Sequence, residues 1–359
     1  MKTVKVNTDS PYDILIGRGL IQKTGELVKN VSNAAKVCVI TDSNVGAIYG
    51  DTVVSSLRNA GFDAAMFTFE AGEKNKRLEV ISAMYSFMAD FNMSRKDLVV
   101  ALGGGVTGDM AGFAAATYMR GISFVQIPTS LLAQVDSSVG GKTGVDIDQG
   151  KNLVGAFHQP ILVIIDPDTL GTLPELYLSD GMGEVIKYGC IKDRELFGTL
   201  ENENAFDIIE DIIFTCVSIK RDVVERDEKE SGERMLLNFG HTLGHSLEKI
   251  YGFEGLSHGQ AVAIGMVMIA GAGERAGLTE KGSAERIKRL CEKYTLPTSD
   301  DASVSDIARV CAGDKKASNG SVNLVLIKSI GDSFITKMPL DKLEEFISLP
   351  LGEGGTPQA

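Results

Sequence analysis

Residues 98–109 read LVVALGGGVTGD, a short apolar run that passes directly into three glycines and then into a helix-like segment. An uninterrupted apolar run of this length is typical of a strand that is buried on both faces of a parallel sheet. Glycines after such a strand allow a tight turn, and the backbone N–H groups that begin the next helix can bind a phosphate group. The stretch therefore predicts a strand–turn–helix unit with an anion site at its turn.

Similar apolar runs flank this stretch on both sides. They are residues 36–40 (KVCVI), 124–127 (FVQI) and 161–165 (ILVII), and helical patterns such as 44–59 and 77–90 lie between them. This alternation predicts a doubly wound, Rossmann-like α/β domain. The glycines at 103, 105 and 108 match GxGxxG, but Pro128 stands where the ribose-binding acid of the standard fingerprint would be. The glycine motif alone therefore does not identify a dinucleotide site.

The second half of the chain has a different character. Strand patterns nearly disappear after about residue 172, and amphipathic helical patterns follow at 174–188, 206–228, 238–251 and 260–276. A late β-like run at 321–328 predicts one hairpin-sized element. We therefore predict an α/β domain over residues 1–172 and a mostly α-helical domain over residues 173–359.

Composition excludes several classes of protein. The chain carries 36 Lys and Arg against 48 Asp and Glu, a net charge of -12, which argues against a general nucleic-acid binder but allows a local basic pocket. Its longest apolar stretch, residues 261–273, is too short to cross a membrane, and residues 1–17 do not resemble a signal peptide. The five cysteines are scattered without a CxxC pair, which predicts reduced thiols in a cytoplasmic protein.

Three of the four histidines lie close together in the sequence. His241 and His245 are four residues apart and share one helix face, and His258 begins the next helical pattern. Two imidazoles and a carboxylate suffice for a catalytic zinc site with an open position. The spacing leaves open which imidazoles bind metal, which one transfers protons, whether Glu184 or Glu248 supplies the carboxylate, and whether some of these histidines only fill the core.

Small basic motifs occupy the middle of the chain: Arg120 with a glycine after it, the GGKTG segment at 140–144, and the Lys151–Asn152 pair. Glycines beside a lysine allow the backbone and the ammonium group to approach an anion closely. GGKTG is not a Walker A loop, because Asp136 stands where that motif requires glycine. The motifs therefore predict a basic pocket for an anionic small molecule and not an ATPase.

In combination, these motifs resemble the 3-dehydroquinate synthase family, one of the sugar-phosphate cyclases, along nearly the whole chain. The matching segments are Gly72-Glu73-x-x-Lys76, residues 103–109, Tyr118-x-Arg120-Gly121, and residues 127–145, 151–152, 166–174, 181–189, 234–248 and 257–262. The resemblance implies the conversion of 3-deoxy-D-arabino-heptulosonate 7-phosphate to 3-dehydroquinate and inorganic phosphate. This is an early step of the shikimate pathway, which leads to chorismate and the aromatic amino acids.

The resemblance also implies how the reaction proceeds and which residues take part. A lyase of this family uses NAD catalytically together with Zn²⁺ or Co²⁺, in the order oxidation, phosphate elimination, reduction and intramolecular aldol closure. The implied metal ligands are Glu184, His241 and His258, and His245 is left to transfer protons. The implied NAD-site residues are Asp42, Asn44, Glu73, Lys76, Gly104, Gly105, Val106, Asp109, Thr129, Ser130, Lys142, Lys151 and Thr172. The implied substrate-binding and catalytic residues are Arg120, Asp136, Lys142, Lys151, Asn152, Lys187, Lys220, Arg234, Asn238 and Lys316, with Lys315 as the alternative to the last. Arg120 is implied to reach across the interface of a homodimer.

Three other functions compete with this hypothesis. Other sugar-phosphate cyclases differ around the positions of Lys142, Asn238 and His245, which here read as the dehydroquinate type. Metal-dependent polyol dehydrogenases of the same fold act on uncharged substrates, which the basic motifs argue against. A binding protein without catalytic activity is disfavoured by the intact set of predicted ligands and basic residues.

Overall fold

The computed structural model describes residues 1–230, 232–253, 255–314 and 320–348, which form two compact units. The first unit contains Met1–Leu178 and Ile209–Lys229, and the second contains Ser179–Ile208 and the described residues from Glu230 onward. The predicted domain boundary after residue 172 stays a prediction. The compact units differ from it in two respects: the first unit runs on to Leu178, and the segment Ile209–Lys229 groups with it.

A seven-stranded sheet organises the first unit. Its strands are β1 (Lys2–Val6), β2 (Tyr12–Ile16), β3 (Lys36–Asp42), β4 (Asp63–Phe69), β5 (Leu98–Gly103), β6 (Ser123–Pro128) and β9 (Leu162–Ile165), and a separate hairpin is made by β7 (Lys142–Ile147) and β8 (Gly150–Phe157). The order across the sheet is β1-β2-β9-β6-β5-β3-β4, and every pair except β1 with β2 is parallel.

The strands that the apolar runs predict lie at the centre of this sheet. Alternate residues of β5 pack into two different clusters: Val100 belongs to one hydrophobic core, and Val99 and Ala101 belong to the other. Both faces of the strand are therefore buried, which is why its sequence is apolar at every position. The predicted fold class, a parallel Rossmann-like sheet followed by a helical part, is confirmed.

Other strands were missed by the sequence analysis because their signal is weaker. β2 (YDILI) contains an aspartate and alternates buried with half-buried positions, and β4 (DAAMFTF) is only partly buried and contains small residues. The β7–β8 hairpin is rich in glycine and polar residues. A search for continuous apolar runs cannot find strands of this kind.

The helices of the first unit are α1 (Thr24–Lys29), α2 (Ser43–Val45), α3 (Asp51–Asn59), α4 (Leu78–Asp90), α5 (Gly105–Thr117) and α8 (Ile209–Arg226). The second unit consists mainly of α6 (Glu175–Ile191), α7 (Arg194–Asn202), α9 (His241–Ile250), α10 (His258–Arg275), α11 (Ser283–Lys293), α12 (Val304–Asp314) and α13 (Leu340–Ser348), and α6 begins a few residues before it. The predicted late hairpin is present as β10 (Ser321–Ser329) and β11 (Asp332–Pro339). Among the residues that the structure describes, no helix has both the length and the apolar character that crossing a membrane requires. The cytoplasmic location stays a prediction.

Two helices begin at residues other than the starts of the predicted amphipathic patterns. Helix α9 begins at His241 and not at Asn238, because Gly240 has a left-handed backbone (φ 79°) that ends the preceding 3-10 helix Glu233–Asn238. Helix α10 begins at His258, as predicted for this histidine, although the amphipathic pattern itself starts two residues later. Both helices have a histidine at their first position.

Candidate metal centre and nucleotide site

Three side chains from three helices of the second unit converge at one point. Glu184 lies within α6, and His241 and His258 begin α9 and α10. Oε1 of Glu184 is 3.3 Å from Nε2 of His241 and 3.4 Å from Nε2 of His258. One ligand atom from each residue lies within 4.8 Å of the other two, so a single cation can contact all three.

Glycines allow these helices to approach so closely. A Cβ atom at Gly183 of α6 would lie 2.9 Å from the carbonyl oxygen of Gly259, near the start of α10. A Cβ atom at Gly265 of α10 would lie 2.1 Å from the carbonyl oxygen of Gly240, just before α9. Both distances are too short for any larger residue, so backbone packs directly against backbone. This packing brings the first turns of α9 and α10 to the carboxylate on α6.

Polar contacts fix the orientation of the two histidines. Asp180, one turn before Glu184 on α6, accepts a hydrogen bond from the N–H of Gly259 at the start of α10. Nδ1 of His241 lies 3.1 Å from the carbonyl oxygen of Phe239, which leaves Nε2 directed toward Glu184. The chain thus holds the ligand nitrogens in place before any metal binds.

The electrostatics of the cluster suit a divalent cation. Glu184 is 2% exposed, and its Oε1 makes no hydrogen bond to any residue that the structure describes, although two imidazole nitrogens lie beside it. Burial by itself would raise the pKa of Glu184, but the charges of Lys187 and His241 outweigh it and hold the pKa well below its usual range. The carboxyl group is therefore an anion at neutral pH. Two imidazoles and one carboxylate are a donor set that zinc and similar divalent metals accept.

Without a metal, a proton occupies this place. Burial lowers the pKa of His258, but the neighbouring carboxylates of Glu184 and Glu248 outweigh it and raise the pKa to about 10. A metal ion that binds here must displace that proton from the His258 imidazole. Metal binding at this site therefore competes with protonation.

His245 lies beside the cluster and not within it. Its side chain is 55% exposed, and its ring centroid is 5.4 Å from that of His241 and 5.9 Å from that of His258. A second combination, His245, Glu248 and His258, also has ligand atoms within 4.8 Å of one another. The geometry thus provides one three-residue set around the buried Glu184 and an adjacent, exposed imidazole.

The candidate nucleotide site belongs to the first unit. The strand order reverses between β3 and β5, and ligands of open parallel sheets bind outside the carboxyl ends of the strands at such a reversal. Asp42 ends β3, and the turn into α5 follows β5. Oγ1 of Thr107 donates to Oδ2 of Asp42 across 3.2 Å, so the two carboxyl ends are linked.

The glycine turn lies against the segment that follows β6. A Cβ atom at Gly104 would lie 3.3 Å from Oγ of Ser130, and one at Gly105 would lie 3.1 Å from Oγ of Ser137. One region is therefore lined by the start of helix α5, the Asp42 carboxylate and several hydroxyl groups. These hydrogen-bonding groups fit the pyrophosphate and ribose of a dinucleotide. Thr172, another predicted NAD-site residue, has its hydroxyl group 2.7 Å from that of Tyr49.

Lys76 joins predicted cofactor and substrate residues. Its buried Nζ donates to Oδ2 of Asp109 across 2.7 Å and to Oδ1 of Asn152 across 2.6 Å. Asn152 has a left-handed backbone (φ 54°), and its N–H donates to Asp146. Burial lowers the pKa of Lys76, but the charges of Asp109 and Glu73 outweigh it and raise the pKa above its usual value. Lys76 is therefore a cation at neutral pH.

The other predicted residues are placed as follows. Lys220 on α8 forms an ion pair with Asp136, and Nζ of Lys151 lies 3.8 Å from Oε1 of Glu73. Lys142 begins β7, and its side chain is exposed. Arg120 has a left-handed backbone (φ 70°). In the second unit, Lys187 pairs with Glu184, Arg234 is 2% exposed, and Nδ2 of Asn238 donates to Glu230 across 3.1 Å. Lys315 and Lys316 lie outside the described residues.

The predicted residues are thus divided between the units. The first contains the predicted NAD-site residues together with Arg120, Asp136, Lys142, Lys151, Asn152 and Lys220, and the second contains the three predicted metal ligands together with Lys187, Arg234, Asn238 and His245. Contacts that the sequence analysis did not identify involve Asp180 and Asp146. Asp180 had one usable signal, its position one helical turn before Glu184.

Comparison with known proteins identifies the family. The chain matches the family model "3-dehydroquinate synthase N-terminal" over residues 66–180 and "3-dehydroquinate synthase C-terminal" over residues 181–317. It is 52% identical over 350 residues to the 3-dehydroquinate synthase of Clostridium perfringens (strain 13 / Type A), a match that covers 96% of this chain and 100% of that protein.

Solved structures agree on the fold. The chain is similar to 2-deoxy-scyllo-inosose synthase complexed with carbaglucose-6-phosphate, NAD⁺ and Co²⁺, with a TM-score of 0.85 and 24% identity over 96% of this chain and 99% of that one. It is also similar to 2-epi-5-epi-valiolone synthase from Streptomyces hygroscopicus subsp. jinggangensis 5008 with NAD⁺ and Zn²⁺ bound, with a TM-score of 0.84 and 26% identity over 97% and 98% of the two chains. From the family models and the close, full-length relative, we conclude that the chain belongs to the 3-dehydroquinate synthase family.

Proposed function

We propose that the chain is an NAD- and metal-dependent 3-dehydroquinate synthase, a lyase that converts 3-deoxy-D-arabino-heptulosonate 7-phosphate to 3-dehydroquinate and inorganic phosphate in the shikimate pathway. The observation that carries this proposal is the convergence of Glu184, His241 and His258 beside the exposed imidazole of His245. The full-length relative at 52% identity, itself a 3-dehydroquinate synthase, supports the choice of substrate.

The chain offers a place for each cofactor. Glu184, His241 and His258 would hold Zn²⁺ or Co²⁺, which when bound supplies Lewis-acid polarisation of a substrate oxygen. Asp42, the start of α5 and the residues around Lys76 and Asp109 would hold NAD, which when bound accepts a hydride from C5 of the substrate and later returns it. The solved relatives that bind NAD⁺ with Co²⁺ or Zn²⁺ support the same pair of cofactors here.

In this proposal His245 handles the proton of the C5 hydroxyl group. Its side chain is accessible and lies beside the ligand cluster, and an imidazole exchanges protons readily near neutral pH. His245 takes the hydroxyl proton while the hydride leaves C5, which gives the C5 ketone. It returns the proton when C5 is reduced again.

The ketone makes phosphate elimination feasible. It acidifies the C–H on the neighbouring carbon. A phosphate oxygen of the substrate takes that proton, the electron pair of the C–H bond forms a C=C bond, and the C–O bond to phosphate breaks. Lysine and arginine side chains would bind the phosphate and carboxylate groups of the substrate. We assign this role to Arg120, Lys142, Lys151, Lys187, Lys220, Arg234 and Lys316.

Ring closure after the second reduction is an intramolecular aldol step, so the chain mainly has to orient one flexible molecule. Asp136, Asn152 and Asn238 are suited to this because their side chains accept or donate hydrogen bonds to sugar hydroxyl groups. The contact between Asn152 and Lys76 would hold the amide in a fixed orientation.

We also propose that the chain forms a homodimer. The resemblance places Arg120 at the dimer interface, and the exposed apolar side chains of Met119, Leu153 and Phe157 in the first unit offer surface for a second copy. Analytical ultracentrifugation of the purified chain tests this directly. A monomer at micromolar concentration contradicts the proposal.

The decisive experiment follows phosphate and NADH in the same cuvette. The purified chain, supplied with NAD⁺, Zn²⁺ or Co²⁺ and the heptulosonate phosphate, is expected to release inorganic phosphate without net NADH. NADH that accumulates in step with turnover would indicate a polyol dehydrogenase. Phosphate release from a different sugar phosphate, and not from this one, would indicate another sugar-phosphate cyclase.

A further inference from the structure

We propose that Glu248 is a positioning residue that orients His258 for metal binding, an inference that rests on the metal site of the proposed function. Glu248 lies on α9 and is 5% exposed. The sequence left it as an alternative to Glu184 for the carboxylate ligand. The structure places it on the opposite side of the same imidazole.

The two carboxylates face the two nitrogens of the His258 ring. Oε1 of Glu248 lies 3.6 Å from Nδ1, and Oε1 of Glu184 lies 3.4 Å from Nε2. At 3.6 Å the first contact is electrostatic and not a hydrogen bond of ordinary length. When a cation binds on the Nε2 side, an anion on the Nδ1 side stabilises the proton there, so the Nε2 lone pair is directed at the metal.

His258 needs such an anchor more than His241 does. Its side chain is 34% exposed, whereas that of His241 is 11% exposed and has its Nδ1 beside the backbone carbonyl of Phe239. In the described part of the chain, Glu248 is the group found at Nδ1 of His258. We therefore infer that the buried Glu248 carboxylate orients the imidazole of His258 from its Nδ1 side, as the carbonyl of Phe239 orients that of His241.

The same carboxylate also faces His245. Oε2 of Glu248 lies 3.9 Å from Nε2 of that imidazole, one turn earlier on α9. Glu248 thus contacts one proposed ligand and the proposed proton-transfer group. The alternative is that Glu248 is itself a ligand, in the set with His245 and His258.

Metal titration separates these roles without relying on turnover. Co²⁺ binding to metal-free protein is followed by visible absorption for the wild type, Glu248→Ala, Glu248→Gln and the control Glu274→Gln. Glu274, on α10, accepts a hydrogen bond from the N–H of Ala284 and lies outside both three-residue sets. Its substitution tests the effect of removing a partly buried charge from the same pair of helices.

We expect Glu248→Ala to raise the Co²⁺ dissociation constant about 10–100-fold, the usual effect of removing a second partner of a ligating histidine. Glu248→Gln, which keeps an acceptor, should recover part of this loss. The spectrum at saturation should match the wild type for both variants, because the ligands are unchanged, and Glu274→Gln should bind normally. If Glu248→Ala does not fold, Glu248→Gln alone decides, since it should still weaken binding while its metal-free melting temperature stays near that of the wild type.

Two results would overturn the inference. Wild-type affinity in both Glu248 variants would remove the positioning role, and an altered spectrum at saturation would make Glu248 a ligand. Parallel phosphate-release assays keep the two proposals separate. If the wild type releases phosphate but the Glu248 variants bind metal normally, only the positioning role of Glu248 is contradicted. If the variants bind metal more weakly but the wild type releases no phosphate, only the proposed function is contradicted.

Discussion

Nζ of Lys76 lies 2.7 Å from Oδ2 of Asp109, in a contact where the lysine side chain is 5% exposed and the carboxylate 23% exposed. The same Nζ donates a hydrogen bond to Oδ1 of Asn152, a residue whose backbone is left-handed. One cation therefore holds together a carboxylate and an amide that the family resemblance assigns to different ligands. Its removal should affect both stability and binding.

We expect Lys76→Met to lower the free energy of unfolding by about 3 kcal/mol, because it leaves the Asp109 carboxylate largely buried without its cation. The value is at the low end for a broken buried pair, since Asp109 keeps some contact with solvent. Urea unfolding measures it. The exposed Lys74→Met is the matched control and should change stability little, and Lys76→Met with Asp109→Asn should recover part of the loss. Equal stabilities of the two lysine variants would show that the pair contributes nothing.

Substitution of His258 by alanine should remove the bound metal. The variant keeps only Glu184 and His241 of the three residues around Glu184, and two ligands hold a divalent cation far less tightly than three. Metal content per chain after dialysis is the measurement. His158→Ala is the control, because that histidine lies in the first unit, stacks on Phe124 and has no proposed role at the metal. One metal per chain in His258→Ala would indicate His245 as a ligand instead.

His245→Gln should behave differently from the ligand variants. We expect kcat to fall about 10²–10⁴-fold, the usual contribution of a general acid–base group, while the metal content stays at the wild-type level. Its ring is exposed and its removal leaves the Glu184 set intact. Steady-state phosphate release and metal analysis on the same preparation test this. Loss of metal together with activity would contradict the assignment of His245 to proton transfer.

The close packing around the metal centre gives a test of its own. A Cβ atom at Gly259 would lie 2.0 Å from the carbonyl oxygen of Asp180, so Gly259→Ala must push the start of α10 away from α6. We expect a loss of about 1–3 kcal/mol in unfolding free energy, as for other overpacked sites, and weaker metal binding because His258 moves with α10. Thermal unfolding and Co²⁺ titration measure the two effects.

Gly198→Ala provides the comparison for Gly259→Ala. Gly198 lies in the interior of α7, and nothing lies within 4 Å of the position of its Cβ atom. Alanine there should stabilise the protein by about 0.5–1 kcal/mol through helix propensity. If Gly259→Ala were equally stabilising, the backbone contact between α6 and α10 would not be what sets their separation.

The sequence predicted the central sheet well and the metal centre only partly. Strands such as β5 are buried on both faces, so their apolar runs are visible without any knowledge of neighbours. Spacing alone could bring His241 and His245 to one helix face, but it could not choose between Glu184 and Glu248. That choice depends on the packing of α6 against α10. The glycines allow this packing, but it cannot be predicted from their presence in the sequence. The contacts of Asp146 and Asp180 depend on the same tertiary packing and had little local signal.

Asp97 provides a prediction about pH that is independent of any ligand. Its carboxylate is 4% exposed and accepts hydrogen bonds from the N–H of Lys36 and from the N–H and hydroxyl of Ser94. Burial alone would raise its pKa, but the hydrogen bonds from Ser94 and Lys36 outweigh burial and lower the pKa below its usual value. The ionised form is therefore favoured in the folded chain.

The sign of the pH dependence follows from that lowered pKa. The stabilisation by the Asp97 carboxylate is fully present above the unfolded-state pKa of about 3.9 and is lost as the pH falls through the lower folded-state value. We expect Asp97→Asn to cost about 2 kcal/mol at pH 7, because the amide group cannot accept all of these hydrogen bonds. The difference from the wild type should shrink only below about pH 4, where the wild-type carboxyl group also becomes protonated in the unfolded chain. Urea unfolding at pH 7, 5 and about 3.5 measures this, with the exposed Asp90→Asn as the control. A difference that stays constant down to about pH 3.5, or grows as the pH falls, would mean that the folded-state pKa of Asp97 is not lowered.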